Sequence, residues 1–123
     1  MNRNNLIAYA ADFVSFLLDS DIFKRINRII LFGSVARGNF DEESDIDLFI
    51  DTKEGIEKEV RSILHLFQDS EIQKKWNLKG LENDLSLKIG DLNKWKLKRD
   101  ITSDGIILYG KLKTLQKILN TIF

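Results

Sequence analysis

The stretch that decides the fold is "FGSVARGNFDEESDIDLFI", residues 32–50. It begins at the end of a short apolar run, residues 28–32, which stops at a glycine as a buried strand does before a turn. It ends in a second run, residues 46–50, which carries Asp47 within it and follows Asp45. Residues two apart on a strand point to the same face, so this pattern predicts two strands, with two carboxylates side by side on the second.

The adjacent carboxylates of Asp45 and Asp47 indicate a metal site. Like charges held this close repel and raise each other's pKa, and a divalent cation offsets that repulsion. Mg²⁺ takes carboxylate oxygens as ligands, and two such ions can stabilise the attacking and leaving oxygens of a phosphoryl displacement. The structural alternative is that Asp45 forms a turn and Asp47 lies on the solvated face of an antiparallel sheet.

Gly33 and Ser34, directly after the first strand, favour the metal site over that alternative. Backbone N–H groups at the start of a short helix can receive a phosphate oxygen, and the hydroxyl of Ser34 adds a further donor. Gly33 lets the backbone approach a ligand because it has no Cβ. The two halves of the stretch therefore predict a site for a phosphate compound and a metal ion.

The spacing of these residues resembles a known family. A Gly-Ser pair, ten intervening residues and Asp-x-Asp form the signature of the DNA polymerase β-like nucleotidyltransferase superfamily. The stretch more closely resembles the minimal nucleotidyltransferases, whose signature reads GS-x-ARG, five variable residues and SD-x-DL. The matching residues are Gly33, Ser34, Ala36, Arg37, Gly38, Ser44, Asp45, Asp47 and Leu48. The resemblance extends over residues 5–110, since "DGIILYG" at 104–110 is similar to the closing strand of these proteins.

The resemblance implies a fold and a reaction. The fold is a small mixed sheet flanked by helices, in the α/β (α+β) class, and the reaction transfers a nucleoside monophosphate from a nucleoside triphosphate, here ATP, to an acceptor hydroxyl. Gly33 and Ser34 would hold the β- and γ-phosphates, and Asp45 and Asp47 would bind two Mg²⁺ ions. Arg37 would help to neutralise the triphosphate, or would instead pair with the acidic run 41–43.

A third carboxylate, which the family carries on a later strand, is less clear. The polar positions of the predicted strand 85–89 are Ser86 and Lys88, and neither is a carboxylate. Asp84 shares their parity and would serve as a catalytic residue and metal ligand if the strand began one pair earlier. The alternative is that Asp84 is a turn residue. Without a third carboxylate, the chain would instead be a degenerate nucleotidyltransferase that neutralises a partner by contact alone.

The resemblance also implies a partner. Minimal nucleotidyltransferases are often paired with a helical HEPN protein in toxin–antitoxin modules, where the antitoxin neutralises a ribonuclease toxin, in some cases by adenylylating its tyrosine. We therefore expect an antitoxin with a HEPN-type partner. A catalytic domain of this size must take its acceptor site from another protein or from its own oligomer.

Periodicity predicts the remaining elements. Apolar residues at three- and four-residue steps predict helices over 5–19 and 53–67. Residues 69–82 show little periodicity and are predicted as a connection with at most one helical turn. A helix over 92–100 after Asp91, a strand over 105–110 and a terminal helix carrying Leu112 and Leu115 complete the order. The elements by themselves indicate a mixed sheet covered by helices.

Composition limits the class of protein. The chain has 123 residues, which predicts a single domain over 1–123, and 43% of them are hydrophobic. We expect a cytoplasmic protein, because cysteine is absent and neither a signal peptide nor an apolar run of membrane-spanning length is found. Formal net charge is zero, although residues 1–60 are acidic and residues 61–123 are basic, so direct nucleic-acid binding is not indicated.

Overall fold

A four-stranded mixed sheet organises residues 1–110, the part of the chain that the computed structural model describes. The strands are β1 (Arg28–Phe32), β2 (Ile46–Asp51), β3 (Leu85–Gly90) and β4 (Ile106–Gly110), and their order across the sheet is β3-β2-β1-β4. β1 is antiparallel to both β2 and β4, whereas β2 and β3 are parallel. The predicted fold class is confirmed.

Helices flank this sheet. They are α1 (Arg3–Leu18), α2 (Gly33–Arg37), α3 (Glu57–Gln68), α4 (Glu71–Leu78) and α5 (Lys98–Asp104), with short 3₁₀ turns at Asp21–Arg25 and Leu92–Lys94. None of the helices in residues 1–110 has both the length and the apolar character needed to cross a membrane.

The two faces of the sheet are covered unequally. On one face, alternate residues of β1 and β2 enter the main core together with buried side chains of α1, α3 and α4. The opposite face, called here the site face, has a small apolar cluster of Ile30, Phe49, Leu92 and Ile101, with Phe32 and Trp95 packed against it. Asp47 shares the parity of Phe49 and therefore lies on the site face. The thinner cover on this face leaves room for polar side chains.

The structure departs from the predicted bounds of two helices. Helix α3 begins at Glu57 rather than near residue 53, because the hydroxyl of Thr52 accepts a hydrogen bond from the Glu54 N–H (3.1 Å) and forms a turn there. The predicted helix 92–100 is broken at Trp95, which is extended and packs edge-on against Phe49 with ring centroids 5.0 Å apart. The predicted terminal helix lies outside the described residues.

Helix α4 was missed because its signals are short. The side chain of Ser70 accepts a hydrogen bond from the Gln73 N–H, which is the start of a helix in the capping-box pattern. Trp76 then anchors the helix, since its indole N–H donates to Asp12 (2.8 Å) and its ring lies edge-on to Tyr9. The helix therefore depends on contacts with α1 that periodicity cannot reveal.

Candidate functional site

Gly33 lies at the turn from β1 into α2 and touches the second half of the motif. Its φ is +76°, a left-handed conformation that side chains rarely adopt. A Cβ at this position would also collide with a carboxylate oxygen of Asp47. Glycine is therefore required both by its backbone conformation and by this close approach. The structure thus brings the Gly33–Ser34 turn directly against Asp47.

Helix α2 is short and is held at both ends. It ends at Gly38 (φ +86°), whose N–H donates to the Ser34 carbonyl at 2.9 Å. The guanidinium of Arg3 donates to the carbonyl oxygens of Val35 (2.9 Å) and Ala36. Because these carbonyls lie in the last turn of the helix, a cation there is favourably placed. The start of α1 thereby fixes the helix that carries Ser34.

Asp47 is a half-buried carboxylate beside like and unlike charges. It lies across from Phe32 in the pairing of β1 and β2. Burial raises the pKa of Asp47 above its ordinary value, and the charge of Asp45 raises it further. Lys88, Arg37 and a hydrogen bond with Ser86 act on that pKa in the opposite direction. The charges of Asp45 and Arg37 therefore lie close enough to act on Asp47.

The loop that leads to Asp45 is held by a network of hydrogen bonds. The amide of Asn83 donates to the Ser44 carbonyl at 2.7 Å and also reaches the carbonyl of Asp41. Inside the loop, the Asp41 N–H donates to the hydroxyl of Ser44 (2.9 Å). Asp45 itself is exposed, so these contacts with the backbone before it define where its carboxylate stands.

Strand β3 places a serine and a lysine on the site face. In the parallel register, Ser86 is the partner of Asp47 and Lys88 is the partner of Phe49. Both side chains are partly buried. Ser86 is thus the residue of β3 that lies beside Asp47, and it is not a carboxylate.

Asp84 lies elsewhere. Strand β3 begins at Leu85, and Asp84 directly precedes it, with its carbonyl accepting a hydrogen bond from the Ile46 N–H at 2.8 Å. Burial raises the pKa of Tyr9 to about 12, and the hydrogen bond with Gln73 acts in the opposite direction. The charge of Asp84 also raises this pKa, so the Asp84 carboxylate lies near the phenol of Tyr9. Asp84 and Tyr9 line a cavity of about 240 Å³ together with Gln73 and Asn77. Within residues 1–110, Asp84 does not join Asp45 and Asp47 in a group of three carboxylates that could hold a metal ion.

The donors present at the site suit one divalent cation. Among residues 1–110, no three residues of the metal-binding types lie close enough to hold an ion by themselves. Asp45 and Asp47 do lie close enough for one charge to raise the pKa of the other, and a bound cation would remove that penalty. Mg²⁺ is commonly held by one or two carboxylates together with substrate phosphates. The pair therefore fits an ion shared with a nucleotide.

Comparison with known proteins identifies the family to which the chain belongs. The model of the nucleotidyltransferase domain matches residues 14–108, which contain the Gly33–Ser34 turn and both Asp45 and Asp47. The chain belongs to this family. The resemblance inferred from the motif is confirmed.

Two curated relatives of this chain come from Methanocaldococcus jannaschii, and each bears the name "putative protein adenylyltransferase". One is 60% identical over 30 residues, 24% of this chain and 30% of the relative. The other is 69% identical over 26 residues, 21% of this chain and 26% of the relative. The chain thus aligns with less than a third of the length of these relatives.

Solved structures share the fold of this chain. A structure named "putative nucleotidyltransferase" from Sulfolobus solfataricus has a TM-score of 0.51 at 20% identity, covering 90% of this chain and 86% of its own. A mutant of the toxin–antitoxin MntA–HpeT has a TM-score of 0.55 at 17% identity, covering 99% and 85%. A toxin–antitoxin structure with AMP-PNP has a TM-score of 0.50 at 19% identity with the same coverage. At these identities the likeness establishes the fold.

Two residues that the motif does not predict, Arg3 and Asn83, hold the candidate site together. Arg3 contacts residues more than 30 positions away, and Asn83 contacts a loop about 40 positions away. Neither belongs to the motif. Asn83 could have been noticed in the sequence, because it lies in the segment Glu82-Asn83-Asp84 directly before β3, at the end of the sheet where the site lies.

Proposed function

We propose that this nucleotidyltransferase transfers AMP from ATP to a hydroxyl group of a protein and requires a divalent cation, Mg²⁺. The observation that carries the proposal is the contact between Gly33 and the Asp47 carboxylate. The turn at Gly33 is suited to binding phosphate, and the carboxylates of Asp45 and Asp47 are suited to binding a cation. The turn and the carboxylate of Asp47 are in contact. That arrangement suits a substrate that is both a phosphate chain and a metal ligand.

The residues of the site would divide the work. Gly33 and Ser34 would hold the β- and γ-phosphates through backbone N–H groups and the hydroxyl. Asp45 and Asp47 would hold the cation, and the positive charge of Arg37 would face the triphosphate. A bound cation supplies neutralisation of the charge that develops on the phosphate oxygens. The acceptor hydroxyl gives its proton to solvent water and its oxygen forms a bond to the α-phosphorus, while the bond from the α-phosphorus to the oxygen that bridges to the β-phosphorus breaks and pyrophosphate leaves.

A tyrosine of a helical, HEPN-type toxin is the acceptor that we propose, with this chain as the antitoxin. The names of the curated relatives support a protein acceptor. The toxin–antitoxin neighbours support a toxin partner, and the one solved with AMP-PNP supports an adenine nucleotide. Because Asp45 and the loop before it are exposed, a large acceptor can reach the carboxylates.

Label transfer from ATP tests this function. The full chain is incubated with Mg²⁺, ATP labelled on the α-phosphate and a HEPN-type partner. We expect label on the partner, no label when its acceptor tyrosine is replaced by phenylalanine, and none when EDTA replaces Mg²⁺. Label that appears on neither protein, under conditions in which the two form a complex, would reject the catalytic proposal.

Contact without catalysis is the second candidate, and the serine at position 86 favours it. Ser86 stands beside Asp47 where a carboxylate would help to activate an acceptor hydroxyl. On this alternative, the chain inhibits the toxin by covering it. The variant Asp45→Asn with Asp47→Asn separates the two, because it would inhibit a toxin as well as the unaltered chain if contact alone were responsible. Loss of inhibition with complex formation intact would instead support catalysis.

A further inference from the structure

Strand β3 brings a positive charge to a place where a second metal ion would need a negative one. Ser86 pairs with Asp47 in the parallel register, and Lys88 follows two residues later on the same face. The only groups of this strand that face the site are therefore a hydroxyl and an ammonium. A hard cation such as Mg²⁺ needs oxygen ligands and is repelled by an ammonium.

Within the part of the chain that the structure describes, Lys88 forms no close ion pair that would explain its presence. The close ion pairs in residues 1–110 are Arg25–Glu54, Arg28–Asp51, Arg61–Glu57 and Lys74–Glu71, and Lys88 belongs to none of them. Its side chain is nevertheless partly buried on the site face. A lysine can extend its apolar stem along such a surface and present the ammonium at the edge. Here that edge is the carboxylate pair, and the charge of Lys88 is close enough to act on Asp47.

The charges of the site favour one metal ion. Asp45 and Asp47 are balanced by Lys88 and Arg37, the cationic groups that act on Asp47. A triphosphate brings several further negative charges, and one shared divalent cation neutralises only part of them. The remaining charge requires a positive group of the protein, and an ammonium is a strong partner for phosphate oxygens.

We propose that the site takes its nucleoside triphosphate with a single divalent cation, and that Lys88 binds the phosphate chain as the second positive charge. The inference rests on the proposed function, and it assigns to this chain a substrate-binding lysine in place of a carboxylate with a second ion. Lys88 is then a specificity-determining residue for a polyphosphate. Ser86 and Lys88 together set the number of metal ions.

Counting bound metal tests the first half of the proposal. The full chain is dialysed against Mn²⁺ and the α,β-methylene analogue of ATP, and the bound Mn²⁺ and nucleotide are both measured. We expect one Mn²⁺ per bound nucleotide for the unaltered chain and two for the variant Ser86→Asp with Lys88→Met. Two ions in the unaltered chain, or one in both proteins, would overturn the proposal.

Nucleotide affinity tests the second half. With Mn²⁺ present, Lys88→Met should weaken binding of the analogue by roughly tenfold or more, as expected for loss of a charge-assisted hydrogen bond. Lys88→Arg should remain within about threefold of the unaltered chain, because the cation is retained. Lys58→Met, at an exposed position on α3, is the matched control and should leave affinity unchanged.

The outcomes separate this inference from the proposed function. Affinity unchanged in a folded Lys88→Met, as judged by circular dichroism, overturns the role of Lys88 while the proposed function stands. If Lys88→Met does not fold, Lys88→Arg and the metal count of the unaltered chain decide. An unaltered chain that binds no analogue at all rejects the proposed function itself.

Discussion

Two aspartates on the same face of β2 serve opposite purposes. Asp51, at the end of the strand, is buried and accepts hydrogen bonds from the guanidinium of Arg28 (2.8 Å) and the backbone N–H of Leu92 (2.9 Å). Asp47, at the other end, has a like charge beside it, and its pKa is raised by burial and by Asp45. Parity places both carboxylates on the site face of the sheet.

The partners of a carboxylate on a strand indicate whether it serves the fold or the function. At Asp51, the charge ties β1 to the segment after β3, so it organises the fold. At Asp47, the protein disfavours the charged form, which is typical of groups kept for a ligand. The comparison predicts that changes at Asp47 affect activity and that changes at Asp51 affect stability.

The largest expected effect is on catalysis by Asp47→Asn. Because the substitution removes a cation ligand, we expect label transfer from ATP to fall by about 100-fold or more. Label transfer per folded molecule is measured for this variant and for Asp51→Asn, which should remain within about threefold of the unaltered chain. An equal loss at both positions would abolish the distinction between the two ends of β2.

The next effect is on folding. Asp51→Ala leaves the partly buried guanidinium of Arg28 without its carboxylate, so we expect a loss of about 3 kcal/mol in the free energy of unfolding. Urea denaturation measures this value, with Glu71→Ala as the control, since that carboxylate forms an exposed pair with Lys74. The control should cost less than about 0.5 kcal/mol. A similar small loss at Asp51 would show that its pair does not organise the fold.

The close approach at Gly33 gives a matched pair of variants. Gly33 and Gly38 both have positive φ, so alanine at either position costs about 1–2 kcal/mol of stability. Only at Gly33 does the new Cβ meet the Asp47 carboxylate, whereas at Gly38 the nearest atoms are 4.0 Å away. Gly33→Ala should therefore lose nucleotide affinity and Gly38→Ala should retain it, as measured by titration calorimetry. Equal affinities in the two folded variants would separate the turn from the carboxylate pair.

Substitution of Arg3 should have a smaller effect, because Arg3 acts only by positioning helix α2. Arg3→Met removes the donors to the carbonyls of Val35 and Ala36, so the start of α2 should hold phosphate less well. We expect the KM for ATP to rise by roughly tenfold with kcat nearly unchanged, and Arg3→Lys to recover part of the loss. If kcat fell while KM stayed constant, Arg3 would not act through the phosphate-binding turn.

The first two strands and the motif could be predicted from the sequence because they depend on local patterns. β1 and β2 follow from short apolar runs, and the motif follows from residue types at fixed spacing. The role of Asp84 could not be decided from the sequence, because its parity would matter only if β3 began before Leu85. In the structure, the strand begins at Leu85. The contacts of Arg3 and Asn83 join distant segments, which no pattern along the chain encodes. The roles of the site residues remain predictions.

The stability of Asp47→Asn as a function of pH tests whether Asp47 is kept for a ligand at a cost to the stability of the fold. The pKa of Asp47 is raised in the folded state, so between the unfolded value and that raised value the folded chain binds more protons and loses stability as pH rises. Asparagine removes this loss. Relative to the unaltered chain, the variant should therefore gain stability as the pH rises from the ordinary pKa of an aspartate through the raised pKa of Asp47, and should be the more stable protein above it.

Thermal unfolding near pH 7.5, with and without Mg²⁺ and the α,β-methylene analogue of ATP, makes the measurement. The account predicts that Asp47→Asn unfolds at a higher temperature than the unaltered chain without ligand, and that ligand raises the Tm of the unaltered chain only. A lower Tm for the ligand-free variant, or an equal rise in Tm with ligand in both proteins, would contradict it.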